Sequence, residues 1–122
     1  MVCNLANNAN AKTDGEGELQ LSNSTVYRFI EYIRGKKNKT PQNFYVSLNG
    51  WGSTYWYCQT GNCTPNIYLE IKDCEKIYHK CKRFARGRTI KWKNGINPGK
   101  GKASRISTKW SNAEIIEKLT EL

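Results

Sequence analysis

The residues with chemistry to offer are few, and four of them are cysteines: Cys58, Cys63, Cys74 and Cys81. They stand as Cys-x4-Cys and Cys-x6-Cys, with ten residues between the pairs. Structural zinc sites favour Cys-x2–4-Cys pairs, which the first pair fits and the second does not, and His79 is the sole nitrogen ligand of its type. Thioredoxin-like exchange needs Cys-x-x-Cys, which this chain lacks. An even set of clustered cysteines without metal spacing predicts structural disulfides, and hence an oxidising compartment, periplasmic or extracellular. No metal or cofactor is expected.

The remaining groups do not assemble into catalytic machinery. His79 falls late in a helical stretch between Tyr78 and Lys80, where an imidazole commonly meets end carbonyls and the helix dipole. Glu70 and Asp73 are i, i+3 neighbours and read as a solvated helix face. Gly95 to Lys100 has three residues between its glycines where a phosphate loop of the Walker type has four, and Gly101 stands where serine or threonine is required. With no nucleophile, base and orienting group in view, a non-catalytic protein is expected.

Charge is the feature that stands out. The 122-residue chain has a formal net charge of +10, and residues 76–109 hold twelve lysines and arginines with no aspartate or glutamate. Such a segment presents positive potential and attracts polyanions. On the strand carrying Ile90 and Trp92, Lys91 and Lys93 fall on the opposite face, so a basic outer surface over an apolar inner one is expected. The expected basic binding residues are Arg86, Arg88, Lys91, Lys93, Lys100, Lys102 and Arg105, with Trp51, Tyr55 and Tyr57 as aromatic contacts.

These groups need a frame. Ser22-Asn23-Ser24 offers N-caps, and Val26, Phe29, Ile30 and Ile33 follow at helical spacing up to Gly35. Thr40-Pro41 closes the lysine-rich loop after it. Residues 44–48 and 54–58 alternate as strands around Asn49-Gly50, a strong hairpin signal. Thr64-Pro65 opens a second helix whose buried stripe is Ile67, Ile71, Cys74 and Tyr78, with Ile77 flanking. Residues 81–92 read as one strand, with a bulge favoured over a tight turn at Arg86-Gly87. Ser111 to Glu114 forms a capping box, with Trp110 and Ile115 as its staple, ahead of a last helix. The result is an α+β domain over residues 21–122: a small antiparallel sheet of three strands covered by helices near 24–34, 65–79 and 111–121.

Helix geometry bears on the disulfides. Residues seven apart in a continuous helix lie about 10 Å apart, beyond the ~7 Å Cα limit of a bridge. A Cys74–Cys81 bridge therefore requires the helix to stop near His79, with Cys58–Cys63 closing the preceding loop. The crossed pairing, Cys58 with Cys81 and Cys63 with Cys74, stays open. Residues 1–20 are expected to be a mobile lead-in. Ala9-Asn10-Ala11 has the form of a signal-peptidase site, so the first residues, Cys3 among them, read either as the remnant of an export signal or as a polar terminus.

The run YWYC, then Cys-x6-Cys, then FARGRTIKW with NGIN behind it resembles a group of small, uncharacterised exported proteins of alphaproteobacteria, over residues 21–122. The resemblance implies export and carries no catalytic residues. The expectation is a small basic exported protein that binds an anionic envelope component or another polyanion. A nucleic-acid-binding module, and an envelope assembly module using exposed aromatics, are the alternatives. No run of apolar residues is long enough to span a bilayer.

Overall fold

A computed structural model describes residues 13–35, 39–59, 63–93 and 104–120. Helix α1, Asn23–Arg34, starts where the Ser22 side chain accepts from the Thr25 N–H, and it ends at Gly35, whose N–H bonds the Tyr32 carbonyl. Val26, Phe29, Ile30 and Ile33 are all buried, as their spacing requires. The chain then enters β1, Thr40–Ser47, turns through Asn49-Gly50 and returns as β2, Ser53–Cys58. Thr40 and Pro41 thus begin a strand instead of closing a loop. Proline is tolerated there because the first residues of a strand need not donate to the ladder.

Helix α2, Ile67–Tyr78, is capped by Asn66, not by the expected Thr64: the Asn66 side chain accepts from the Leu69 N–H. Strands β3, Cys81–Arg86, β4, Thr89–Ile90, and β5, Ser104–Arg105, follow, and helix α3, Asn112–Thr120, completes the described chain. The Ser111–Glu114 capping box forms reciprocally, with both bonds at 3.1 Å. Among the described residues, three helices cover one antiparallel sheet in the order β2-β1-β3-β4-β5. This is the expected α+β class, with five strands in place of three because the single strand expected over residues 81–92 is broken into β3 and β4 and a short β5 is added.

The break lies at Arg86-Gly87, where the sequence favours a bulge and the chain makes a tight turn. Arg86 pairs with Thr89 across a two-residue loop, and Gly87 takes φ 56°, a left-handed value that suits glycine. A bulge does exist in β3, two residues earlier: Ala85 faces Phe44 while Arg83 faces Tyr45, leaving Phe84 without a partner in β1. That extra residue lets Phe84 and Ala85, adjacent in sequence, both enter the same core.

Period-two alternation along β1 divides the interior. Phe44 and Val46 face α1 and α3, joining Phe29, Tyr32, Ile33, Phe84, Ile90, Trp92, Ile115 and Leu119. Phe29 meets Phe44 and Phe84 edge-on at 5.1 and 5.4 Å, a favourable aromatic geometry. Tyr45 points the other way, into a smaller cluster with Ile71, Cys74 and Cys81 beneath α2. Both disulfides have the sequential pairing: Cys58–Cys63 with Cα atoms 5.8 Å apart, and Cys74–Cys81 at 6.1 Å. The second is possible because α2 stops at Tyr78, and His79 reverses the chain at φ 84°.

The lead-in expected to be mobile is docked from Thr13 onward. Arg83 N–H bonds the Thr13 carbonyl, Gly15 N–H bonds the Arg83 carbonyl, and Gly15 and Gly17 exchange bonds with Lys93. Trp92 explains the attachment: its indole N–H donates to the Gly17 carbonyl at 2.9 Å, and its ring lies so close to Gly15 that a Cβ there would overlap it. Leu19 and Leu21 are buried in the main core. The export-signal reading of the first residues, the lysines of 36–38 and the stretch from Gly95 to Lys100 lie outside the described residues.

Candidate functional site

The β3–β4 turn is held from three sides. Gly87 N–H donates to the Gln42 carbonyl at 2.8 Å, and the Gly87 carbonyl accepts from the Tyr32 hydroxyl at 2.8 Å. Next to it, Arg88 Nε donates to the Ile33 carbonyl at 3.2 Å, and the Arg88 carbonyl accepts from Ile106 N–H at 2.8 Å. β4 then pairs with β5, bringing Arg105 opposite Thr89. Residues distant in sequence thereby surround one concavity of about 410 Å³, lined by Thr40, Pro41, Gln42, Arg86, Gly87, Arg88, Thr89, Lys91 and Arg105.

Among the described residues, four cations and no carboxylate line this concavity. Among the described residues, ion pairs join Arg83 to Asp14 and Lys76 to Asp73, and neither reaches the four. Arg86 and Arg105 are exposed, while Arg88 and Lys91 are half-buried. Like charges gathered without acids produce a local positive potential that the low-dielectric protein beneath concentrates.

Of the basic residues expected from sequence, Arg86, Arg88, Lys91 and Arg105 are brought together. Lys93 is exposed but lies beside Glu16 on the docked N-terminal stretch, away from the concavity. Lys100 and Lys102 fall outside the described residues. The aromatic contacts separate in the same way. Trp51 stands 72% exposed in the β1–β2 connection, at the opposite end of β1 from Thr40, and β1 is roughly 23 Å long at about 3.3 Å per strand residue. Tyr55 and Tyr57 face inward instead: Tyr55 stacks on Phe44, Tyr57 stacks on Tyr32, and the Arg28 guanidinium covers the Tyr55 ring at 5.1 Å.

Sequence reasoning missed a second polar constellation. Arg83, only 9% exposed, donates through Nε to Asp14 at 2.6 Å and through a terminal nitrogen to the Asn43 side chain at 3.2 Å. Asn43 donates onward to Glu70, which also accepts a bond from the Tyr45 hydroxyl. Glu70 is therefore not on a solvated face as expected; it ties α2 to β1. Burial first, then the Glu70 hydrogen bond and charge, push the Tyr45 phenol well above its ordinary value of 10.0. No sequence signal marked Asn43. The chain's buried arginine was hidden among twelve cations of similar appearance.

His79 is exposed, and its backbone N–H caps α2 on the Glu75 carbonyl at 3.1 Å. Glu75 itself accepts from Cys81 N–H, and Asp73 pairs with Lys76 at 3.6 Å. The four cysteines are bonded to one another, so none offers a thiolate to a metal. No group of three or more His, Cys, Asp or Glu able to hold a metal occurs among the described residues. No helix among them is long and apolar enough to cross a membrane. No protein-family model, curated protein or solved structure matches this chain.

Proposed function

We propose that this protein is a non-catalytic module that binds a polyanionic component of the cell envelope through the concavity of Arg86, Arg88, Lys91 and Arg105. The observation that carries the reading is the gathering of four cations, from the end of β3, the turn, the residue after β4 and β5, on one depression that has no acid among its described lining residues. Two disulfides in a small domain support a periplasmic or secreted location, since such bonds persist where thiols are not kept reduced. The same bonds argue against an intracellular nucleic-acid module. So does the packing of Tyr55 and Tyr57, each of which already has one ring face stacked on a core aromatic.

Ionic strength provides the test. The affinity of the full chain for heparin should fall steeply with added salt, and against duplex DNA the log–log slope should be roughly −3.5 if four cations engage phosphates. The combined Arg86→Gln, Lys91→Gln, Arg105→Gln variant keeps the Arg88 bond to Ile33 and should fold as the parent does while losing most of this binding. Equal binding by parent and variant would make the basic residues a solubility device and end the proposal. Binding that ignores salt but depends on Trp51 would point to an assembly module instead.

A further inference from the structure

Resting on that reading, we infer that the concavity recognises a phosphate ester carried on a sugar or polyol, in preference to a run of carboxylates. Three of its four cations are arginines. A guanidinium is a planar fork that grips an oxyanion through two parallel N–H···O bonds, whereas an ammonium acts as a point charge. A carboxylate presents two oxygens and a single charge, which one fork satisfies. A phosphate monoester presents three terminal oxygens and about −1.5 to −2 charges, enough to engage several converging forks together.

The neutral lining agrees. Thr40, Gln42 and Thr89 also line the depression, and their side chains carry two hydroxyls and an amide, groups that pair with the hydroxyls of a polyol. A volume of about 410 Å³ lies at the small end of the ~300–1,000 Å³ range of small-molecule sites, and it suits one phosphorylated ring. The turn's own polar backbone is not available for this task, because both Gly87 groups are already bonded within the fold. Recognition therefore falls to the side chains. Arg88 is the most fixed of them: its Nε donates to the Ile33 carbonyl, and among the described residues its terminal nitrogens have no acceptor.

The probes are glucose 1,6-bisphosphate, glucaric acid as a dicarboxylate of similar size, and heparin, each titrated calorimetrically into the full chain, with amide shifts followed at Gly87 and Thr89. The bisphosphate should bind saturably at those amides and at least about tenfold more tightly than glucarate. The Arg86→Lys, Arg105→Lys variant retains charge but loses two forks, so bisphosphate affinity should fall about tenfold while heparin affinity stays within about threefold. Glucarate binding as well as the bisphosphate, or a lysine variant indifferent to both, overturns the inference. If the bisphosphate fails while heparin still depends on Arg86, Lys91 and Arg105, the polyanion reading survives and the phosphate inference falls. If heparin is indifferent to the glutamine variant as well, both fall. Phosphatidylcholine vesicles doped with phosphatidylinositol 4-phosphate identify the source: binding that the bisphosphate competes away supports a lipid headgroup, and bisphosphate binding without vesicle binding supports a soluble or polymer-borne ester.

Discussion

The Tyr32 hydroxyl donates to the Gly87 carbonyl across 2.8 Å, so a side chain rooted in the core fixes the turn that carries Arg86 and Arg88. Changing Tyr32→Phe removes the donor and leaves that carbonyl without its partner. The expected cost is about 1–2 kcal/mol of stability, read from the urea midpoint. Phosphate-ester affinity should weaken too, because the turn loses one of the four hydrogen bonds that hold it. Unchanged stability would show that the bond contributes nothing net.

Tyr32 and Tyr45 give the domain an alkaline limit. Burial is the main cause holding both phenols well above the ordinary 10.0. The unfolded chain ionises near that value while the folded chain keeps both protons. Their contribution is thus fully present below about pH 10 and is lost as pH rises further, at about 1.4 kcal/mol per pH unit for each phenol. Urea unfolding on either side of pH 10 measures the slope, and Tyr32→Phe should remove about one proton's share. A flat profile up to about pH 12 would contradict this account of the two phenols.

His79 sits at φ 84°, which L side chains rarely adopt. Replacing His79→Gly should relieve that strain and raise stability by about 0.5–1 kcal/mol, the gain reduced by the greater freedom of glycine in the unfolded chain. His79→Ala should bring no such gain, since alanine shares the steric penalty. Thermal unfolding of both variants checks the contrast. A loss of stability in the glycine variant would mean that the imidazole makes a contact worth more than the strain.

The two disulfides should differ in worth. Intact mass should fall short of the reduced chain by two hydrogens for each bridge. Replacing Cys58 and Cys63 by alanine should cost about 2 kcal/mol, the loop-entropy value for a short ring. Replacing Cys74 and Cys81 should cost about 3–4 kcal/mol, because both sulfurs also pack in the cluster under α2 and their removal leaves a void beside Tyr45 and Ile71. Equal costs would mean that packing at Cys74 adds nothing.

Local signals in the sequence were sufficient wherever neighbours decide the structure. The helical spacing of Val26, Phe29, Ile30 and Ile33, the Asn49-Gly50 turn and the Ser111–Glu114 box all act within a few residues, and each was legible. So was the sequential disulfide pairing as the leading alternative, because it follows from where a helix can end. What escaped depends on partners far along the chain. Gly87 turns because Gln42 and Tyr32 receive its backbone groups, and the stretch from Thr13 is ordered because Trp92 needs a cover. The concavity followed the same rule: charge density named Arg86, Arg88, Lys91 and Arg105 but equally named Lys93, and only the β4–β5 pairing separates them.

Asp14 pairs with Arg83 across a sequence separation of 69, and this has a consequence for the order in which a nascent chain can settle. Helix α1 and the β1–β2 hairpin can form from contiguous sequence, whereas the stretch at 13–17 has nothing to lie against until β3 and the residues up to Lys93 have been made. At about 5–20 residues per second that interval is roughly 4–16 s. Throughout it the stretch lacks its packing partners, which the docking of Gly15 over Trp92 then supplies. The stretch at 13–17 thus precedes every described helix and strand in the chain, yet it can dock only after β3 and Lys93 have been made.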